Sequence, residues 1–150
     1  MFIAALNGHS HCVDILISAS CDANKCHNNG CSPIYVAAQN GHSDLISRLV
    51  SASGDVNTCD KTGASPLLVA ASNGHHACIP QLLACRGDVS KCNIEGISPL
   101  FSAACNGKAA CISQLLSALD YPRESLAAAL EQARARCHED CVRLLEALVP

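Results

Sequence analysis

Cysteine and histidine are the residues of this chain best equipped for chemistry: twelve cysteines and seven histidines stand among its 150 residues. Three stretches set imidazole beside thiol, namely His11-Cys12, His75 with Cys78, and Cys137-His138 with Cys141. A thiol next to a base can act as an activated nucleophile, and thiols with imidazoles bind zinc when enough of them converge. Neither arrangement is completed. Cys137 and Cys141 bracket His138 and Asp140, but no second ligand pair with finger spacing occurs elsewhere. A Gly-rich phosphate loop, a recognisable pair of catalytic carboxylates and a Ser-His-Asp order are also missing. These residues predict no catalysis, no cofactor and no metal.

Their positions follow a different logic. Cys12, Cys78 and Cys111 occupy one position of a 33-residue period, which Leu45 fills in the remaining copy, so cysteine stands there for an aliphatic side chain. Gly30, Gly63 and Gly96 keep the same period, as do Pro33, Pro66 and Pro99, and Gly8, Gly41, Gly74 and Gly107 carry it through four copies. A period of this length marks small units stacked into a solenoid rather than a chain folded around one central core.

The stretch from Asp60 to Cys92 shows what one unit does. Gly63 and Ser65-Pro66 make a turn followed by a cap and a proline suited to the first helical position, so a helix should open at Pro66. Its run Leu67-Leu68-Val69-Ala70-Ala71 is apolar on most sides, and Asn73-Gly74 supplies a left-handed stop. Ile79, Leu82 and Leu83 then recur as one apolar helical face, predicting a second, antiparallel helix. Gly87-Asp88-Val89 ends it, and the polar link from Ser90 to Gly96 is long enough for a projecting turn.

This layout resembles the ankyrin repeat, with Asp60, Gly63, Pro66, Leu67, Ala70, Ala71, Gly74, His75, Leu82, Leu83, Asp88 and Val89 matching its pattern. The resemblance implies an all-α solenoid of stacked antiparallel helix pairs with projecting β-turn loops. It also implies that His9, His42 and His75 brace neighbouring units, with Lys108 in their place in the fourth copy. Ser32, Ser65 and Ser98 stand where the family prefers Thr, and Tyr35, Leu68 and Phe101 where it has His. The family's hydroxyl-to-imidazole hydrogen bond is therefore lost, and a ladder of apolar side chains is expected instead. Asp55-Val56-Asn57 is similar to the hairpin that asparaginyl hydroxylases recognise, which makes Asn57 the first candidate for hydroxylation and Asn24 the second.

In these terms the chain reads as one domain. A partial repeat covers 1–26, repeats cover 27–59, 60–92 and 93–123, and a degenerate helical cap covers 124–150. The first unit lacks its turn and Gly-x-Ser-Pro, which suits either a longer array or a start whose edge something else covers. Residues 120–150 hold 10 of the 23 Lys, Arg, Asp and Glu residues and no glycine, as a wetted capping unit should. Its first helix, around Ser125 to Leu130, is expected to run one turn longer for want of an Asn-Gly stop. In its second, Cys141, Val142, Leu145 and Leu148 should face inward and Glu139 should pair with Arg143. Pro80 falls inside a second helix and predicts a displaced or late start there.

Composition excludes several functions. With 49 % hydrophobic and only 3 % aromatic residues, the interior must be made of Leu, Ile, Val, Ala and Cys. A net charge of −3 and a pI near 6.1 argue against nucleic acid as partner. Met1 to Leu6 is apolar but has no basic lead and stops at Asn7-Gly8, too short for a signal peptide or a membrane span. Stacked helices lie about 8–10 Å apart, beyond the ~7 Å between Cα atoms that a disulfide tolerates, so the cysteines should be free thiols in a reducing, cytoplasmic compartment.

The expected role is a protein-binding module, monomeric, without membrane insertion and without enzymatic activity. Comparing the complete units isolates the positions free to differ. They fall on the projecting turns, at Asn28, Asn29 and Cys31, at Lys61, Thr62 and Ala64, and at Ile94, Glu95 and Ile97. Others lie at the ends of the first helices, at Gln39 and Asn40, Ser72 and Asn73, Cys105 and Asn106, with Tyr35 and Phe101 at the border. In the family such positions line the concave, partner-gripping face. The alternatives are a cysteine-rich metal-binding or redox-responsive protein, and a targeting arm of a larger enzyme or ubiquitin-ligase receptor.

Overall fold

The computed structural model describes residues 1–117, 121 and 123–148, which form ten helices and no strand. Five helices make an inner row: α1 (Phe2–Leu6), α3 (Pro33–Gln39), α5 (Pro66–Asn73), α7 (Pro99–Cys105) and α9 (Arg123–Ala135). Each is followed by an outer partner: α2 (Ser10–Ser18), α4 (Ser43–Ser51), α6 (Cys78–Ala84), α8 (Ala109–Leu116) and α10 (Glu139–Glu146). Inner packs on inner and outer on outer along the whole stack.

The inner helices start where the sequence places a cap. Ser32, Ser65 and Ser98 accept hydrogen bonds from the backbone N–H of Tyr35, Leu68 and Phe101 at 3.1, 3.2 and 3.2 Å, each followed by proline. Ala37-Ala38, Ala70-Ala71 and Ala103-Ala104 are fully buried, and their lack of bulk lets successive inner helices pack closely. The outer core is Leu45, Ile46 and Leu49, then Cys78, Ile79 and Leu82, then Cys111, Ile112 and Leu115, then Cys141 and Leu145.

The turn between paired helices carries the join between units. Gly8, Gly41 and Gly107 have positive φ, and the imidazole of the following unit lies against each: His42 over Gly8, His75 over Gly41 and His138 over Gly107. A Cβ at these glycines would come within 2.6–2.8 Å of the ring. The Nε2–H groups donate to the carbonyls of Leu6, Gln39 and Cys105 at 3.2, 2.9 and 3.1 Å. Lys108 lays its aliphatic stem over Gly74 in the fourth unit. The bracing role therefore holds for His42 and His75, while His9 is exposed.

Several details correct the sequence reading. Tyr35 is not a plain apolar rung, because its hydroxyl donates to Asp60 Oδ2 at 3.1 Å. In α10, Arg143 pairs with Asp140 at 2.7 Å rather than with Glu139, and Leu148 is 50 % exposed, so the inward stripe stops at Leu145. The long helix α9 extends at its beginning rather than its end: it stops in register, and Cys137 takes the left-handed turn at φ 58 where Gly107 stands in the unit before. The late start at Pro80 is present. The outer helix begins at Cys78, whereas α4 begins at the counterpart of His76, and an exposed proline in the first turn removes no helical hydrogen bond.

All twelve cysteines are free. Burial pushes the thiols of Cys78 and Cys111 up to about 11, with the Cys111 thiol adding to the effect at Cys78. These groups are protonated packing atoms. Cys12, at the same repeat position in the first unit, is exposed.

Candidate partner-binding surface

Three loop fingers project beside the inner helices, and each is closed by its own backbone. Across them the N–H of His27, Asp60 and Asn93 donates to the carbonyl of Cys31, Ala64 and Ile97 at 3.0, 3.1 and 3.1 Å. The tips turn on Gly30, Gly63 and Gly96, whose N–H groups donate to the carbonyls of His27, Asp60 and Asn93. Side chains finish the turns. Asp60 Oδ1 accepts from the N–H of Thr62 and Ala64 and from Thr62 Oγ1, while Asn93 Oδ1 accepts from the N–H of Glu95 and Ile97.

Adjacent fingers are also tied to one another. Lys61 N–H donates to the Asn29 carbonyl at 3.2 Å and Ile94 N–H to the Thr62 carbonyl at 2.9 Å. A second tie lies in the stretches that lead from the outer helices into the fingers. Asn24 donates to the Ser53 carbonyl and accepts from Asp55 N–H, both at 2.7 Å, and Asn57 does the same with Arg86 and Asp88 at 3.1 and 2.9 Å. Both asparagines are thus built into the joins between units, a role the sequence reading did not assign them.

Charge is sparse on this face. Burial alone would raise the Asp60 carboxyl, but hydrogen bonds from Thr62, Ala64 and Tyr35 outweigh it and hold the group below the usual carboxylate range. Burial, then the neighbouring Asp60 charge, drives the Tyr35 hydroxyl well above its ordinary value.

Of the positions expected to meet a partner, the finger-tip side chains of Asn28, Asn29, Lys61, Thr62, Ile94 and Glu95 are exposed. Ile94 is 79 % exposed, the most of any large hydrophobic residue described. Gln39, Ser72, Ile97 and Cys105 are half-buried, and Asn40, Asn73 and Asn106 are exposed at the inner-helix ends. Three expectations fail: Cys31, Tyr35 and Ala64 are only 4, 5 and 8 % exposed, because they lie on the inner side of a finger or helix that the next unit covers. The helix-end asparagines are already engaged. Asn40 and Asn106 donate to the carbonyls of Val36 and Ser102 in their own helices, and Asn73 donates to the Gln39 carbonyl of the previous one.

Sequence reasoning missed His138, weighed only as a ligand, since it follows Lys108 by 30 residues instead of 33. The short last period was the available signal. Among the described residues no group of three or more His, Cys, Asp or Glu is placed to hold a metal, and no helix is long and apolar enough to cross a membrane.

The family model described as ankyrin repeats (3 copies) matches residues 1–91 and again 67–147. The chain belongs to the ankyrin repeat family. Ankyrin repeats are generally protein–protein interaction modules and are typically non-catalytic. No curated protein matches the chain.

Proposed function

We propose that this ankyrin array is a scaffold that grips one partner protein through its finger tips and the adjoining inner-helix ends, acting as a monomer and catalysing nothing itself. One observation supports this most. The three fingers share their closing hydrogen bonds, yet their exposed tips differ completely: Asn28, Lys61 and Ile94 at one position, Asn29, Thr62 and Glu95 at the next. A shared frame bearing different side chains is what a recognition surface requires. The mixture is polar, basic and apolar in turn, which fits an uncharged, partly apolar strip on the partner.

Lys61→Glu combined with Ile94→Asp is the test. Both side chains are exposed, so the double variant should weaken partner binding by more than about 2 kcal/mol, the hot-spot scale, with the melting temperature nearly unchanged. Full affinity, or loss only on altering Arg48 and Gln81 of the outer helices, would move the site elsewhere. Asn57 is retained as the hydroxylation candidate. Its amide is held on Arg86 and Asp88, so a modifying enzyme must first open that loop.

A further inference from the structure

The last of the three fingers, that of the fourth unit, is the one that no further finger covers among the described residues. In the second and third units Cys31, Ser32 and Tyr35, and likewise Ala64, Ser65 and Leu68, are buried, whereas their counterparts Ile97, Ser98 and Phe101 are only half-buried. The backbone repeats the pattern. The carbonyls of Asn29 and Thr62 each receive an N–H from the next finger, and no described donor reaches the carbonyl of Glu95. A Cβ added at Gly30 would come to 3.1 Å from Lys61 N and one at Gly63 to 3.3 Å from Ile94 N, but at Gly96 it meets nothing within 4 Å.

Opposite this open edge, the added first turns of α9 stand as a wall. Glu124, Ser125 and Ala128 face Cys92, Gly96 and Phe101 across a cleft of about 230 Å³. Pockets for drug-sized ligands run to about 300–1,000 Å³, so this cleft suits a few side chains of an extended chain better than a small molecule. Its lining carries one carboxylate, Glu124, and no base, and the exposed Glu95 adjoins it. Lys91, the basic residue of this finger, is turned away, its Nζ donating to the Asn57 carbonyl at 3.0 Å.

We infer that this edge takes up a short extended segment of a partner protein, with a basic residue beside an apolar one, added as a further finger would be. The inference rests on the protein-binding reading above and adds the chemistry of what is bound. An N–H of the segment donates to the Glu95 carbonyl, which no described donor reaches, as Lys61 and Ile94 donate to theirs. The basic side chain lies between Glu95 and Glu124, and the apolar one covers Phe101 and Ile97. Main-chain pairing supplies attachment and the alternating side chains supply selectivity.

The probe is a synthetic peptide in which lysine alternates with valine, titrated into the full-length, nitrogen-15-labelled chain. Expected are amide shifts confined to residues 94–101 and 123–128, largest at Gly96, whose nitrogen reports on the Glu95 carbonyl. Glu95→Lys with Glu124→Lys should weaken binding by about tenfold or more, and Lys61→Glu should not. If the double charge reversal unfolds the chain, Glu124→Gln read by the same titration replaces it, with a smaller loss in the same direction. Equal binding of a peptide with glutamate in place of lysine, or shifts spread over the outer helices, would overturn the proposal. Loss of the native partner on Lys61→Glu, with the probe failing at Gly96, would overturn this edge site while leaving the scaffold reading intact.

Discussion

Asp60 carries the most connections of any side chain in the fingers, closing its own turn and holding Tyr35 of the unit before. Its carboxyl is held below the ordinary range, and that of Asp88 is lowered by the Ser90 hydroxyl and backbone. A depressed folded-state pKa means stability that is present above the unfolded value, near 4 for a carboxylate, and lost as pH falls through the folded one. Thermal melts on acidification should therefore show a loss below about pH 4 that is smaller in Asp60→Asn. A pH dependence as steep as wild type in that variant would contradict the assignment. Tyr35→Phe removes one hydrogen bond and should cost about 1 kcal/mol. Tyr35 and Asp60 are 25 residues apart, so the sequence showed an unusual rung at Tyr35 and a pattern-matching Asp60 without showing that they meet.

At the scale of the element, the helix starts, the glycine turns and the apolar faces were legible because they depend on neighbours in the chain. What was not legible depended on the adjacent layer. Glycine at the helix turn serves two purposes, a left-handed φ and room for the next imidazole, and only the first can be read locally. Comparing two turns separates them. Gly107→Ala places a Cβ 2.8 Å from His138 at φ 65 and should destabilise by about 1–3 kcal/mol. Cys137 has the same backbone, at φ 58, without a following ring described over it, so Cys137→Gly should be neutral or stabilising by up to about 1 kcal/mol. Urea midpoints for the two variants check this, and equal losses would contradict it. The length of α9 was foreseen for the wrong reason: Cys137 supplies the stop that the missing Asn-Gly was thought to leave out.

For the whole molecule, the stack distributes stability among interfaces, so its last pair of helices matters out of proportion to its size. Deleting residues 121–150 uncovers α7 and α8, which pack on α9 and α10, and the remaining chain should aggregate or melt early. A monomeric truncation of unchanged melting temperature would contradict this. The proposed recognition strip was legible in part, since comparing units finds positions that vary but not which of them the next layer buries. Cys31, Tyr35 and Ala64 were lost from it for that reason, while the tips remained. The measurement that tests the scaffold reading most directly is hydrogen exchange of the chain with and without its native partner. Protection should appear at finger residues 28–29, 61–62 and 94–95 and at the adjoining inner-helix ends, with the outer helices around Arg48 and Gln81 unchanged. Protection confined to those outer helices would contradict it.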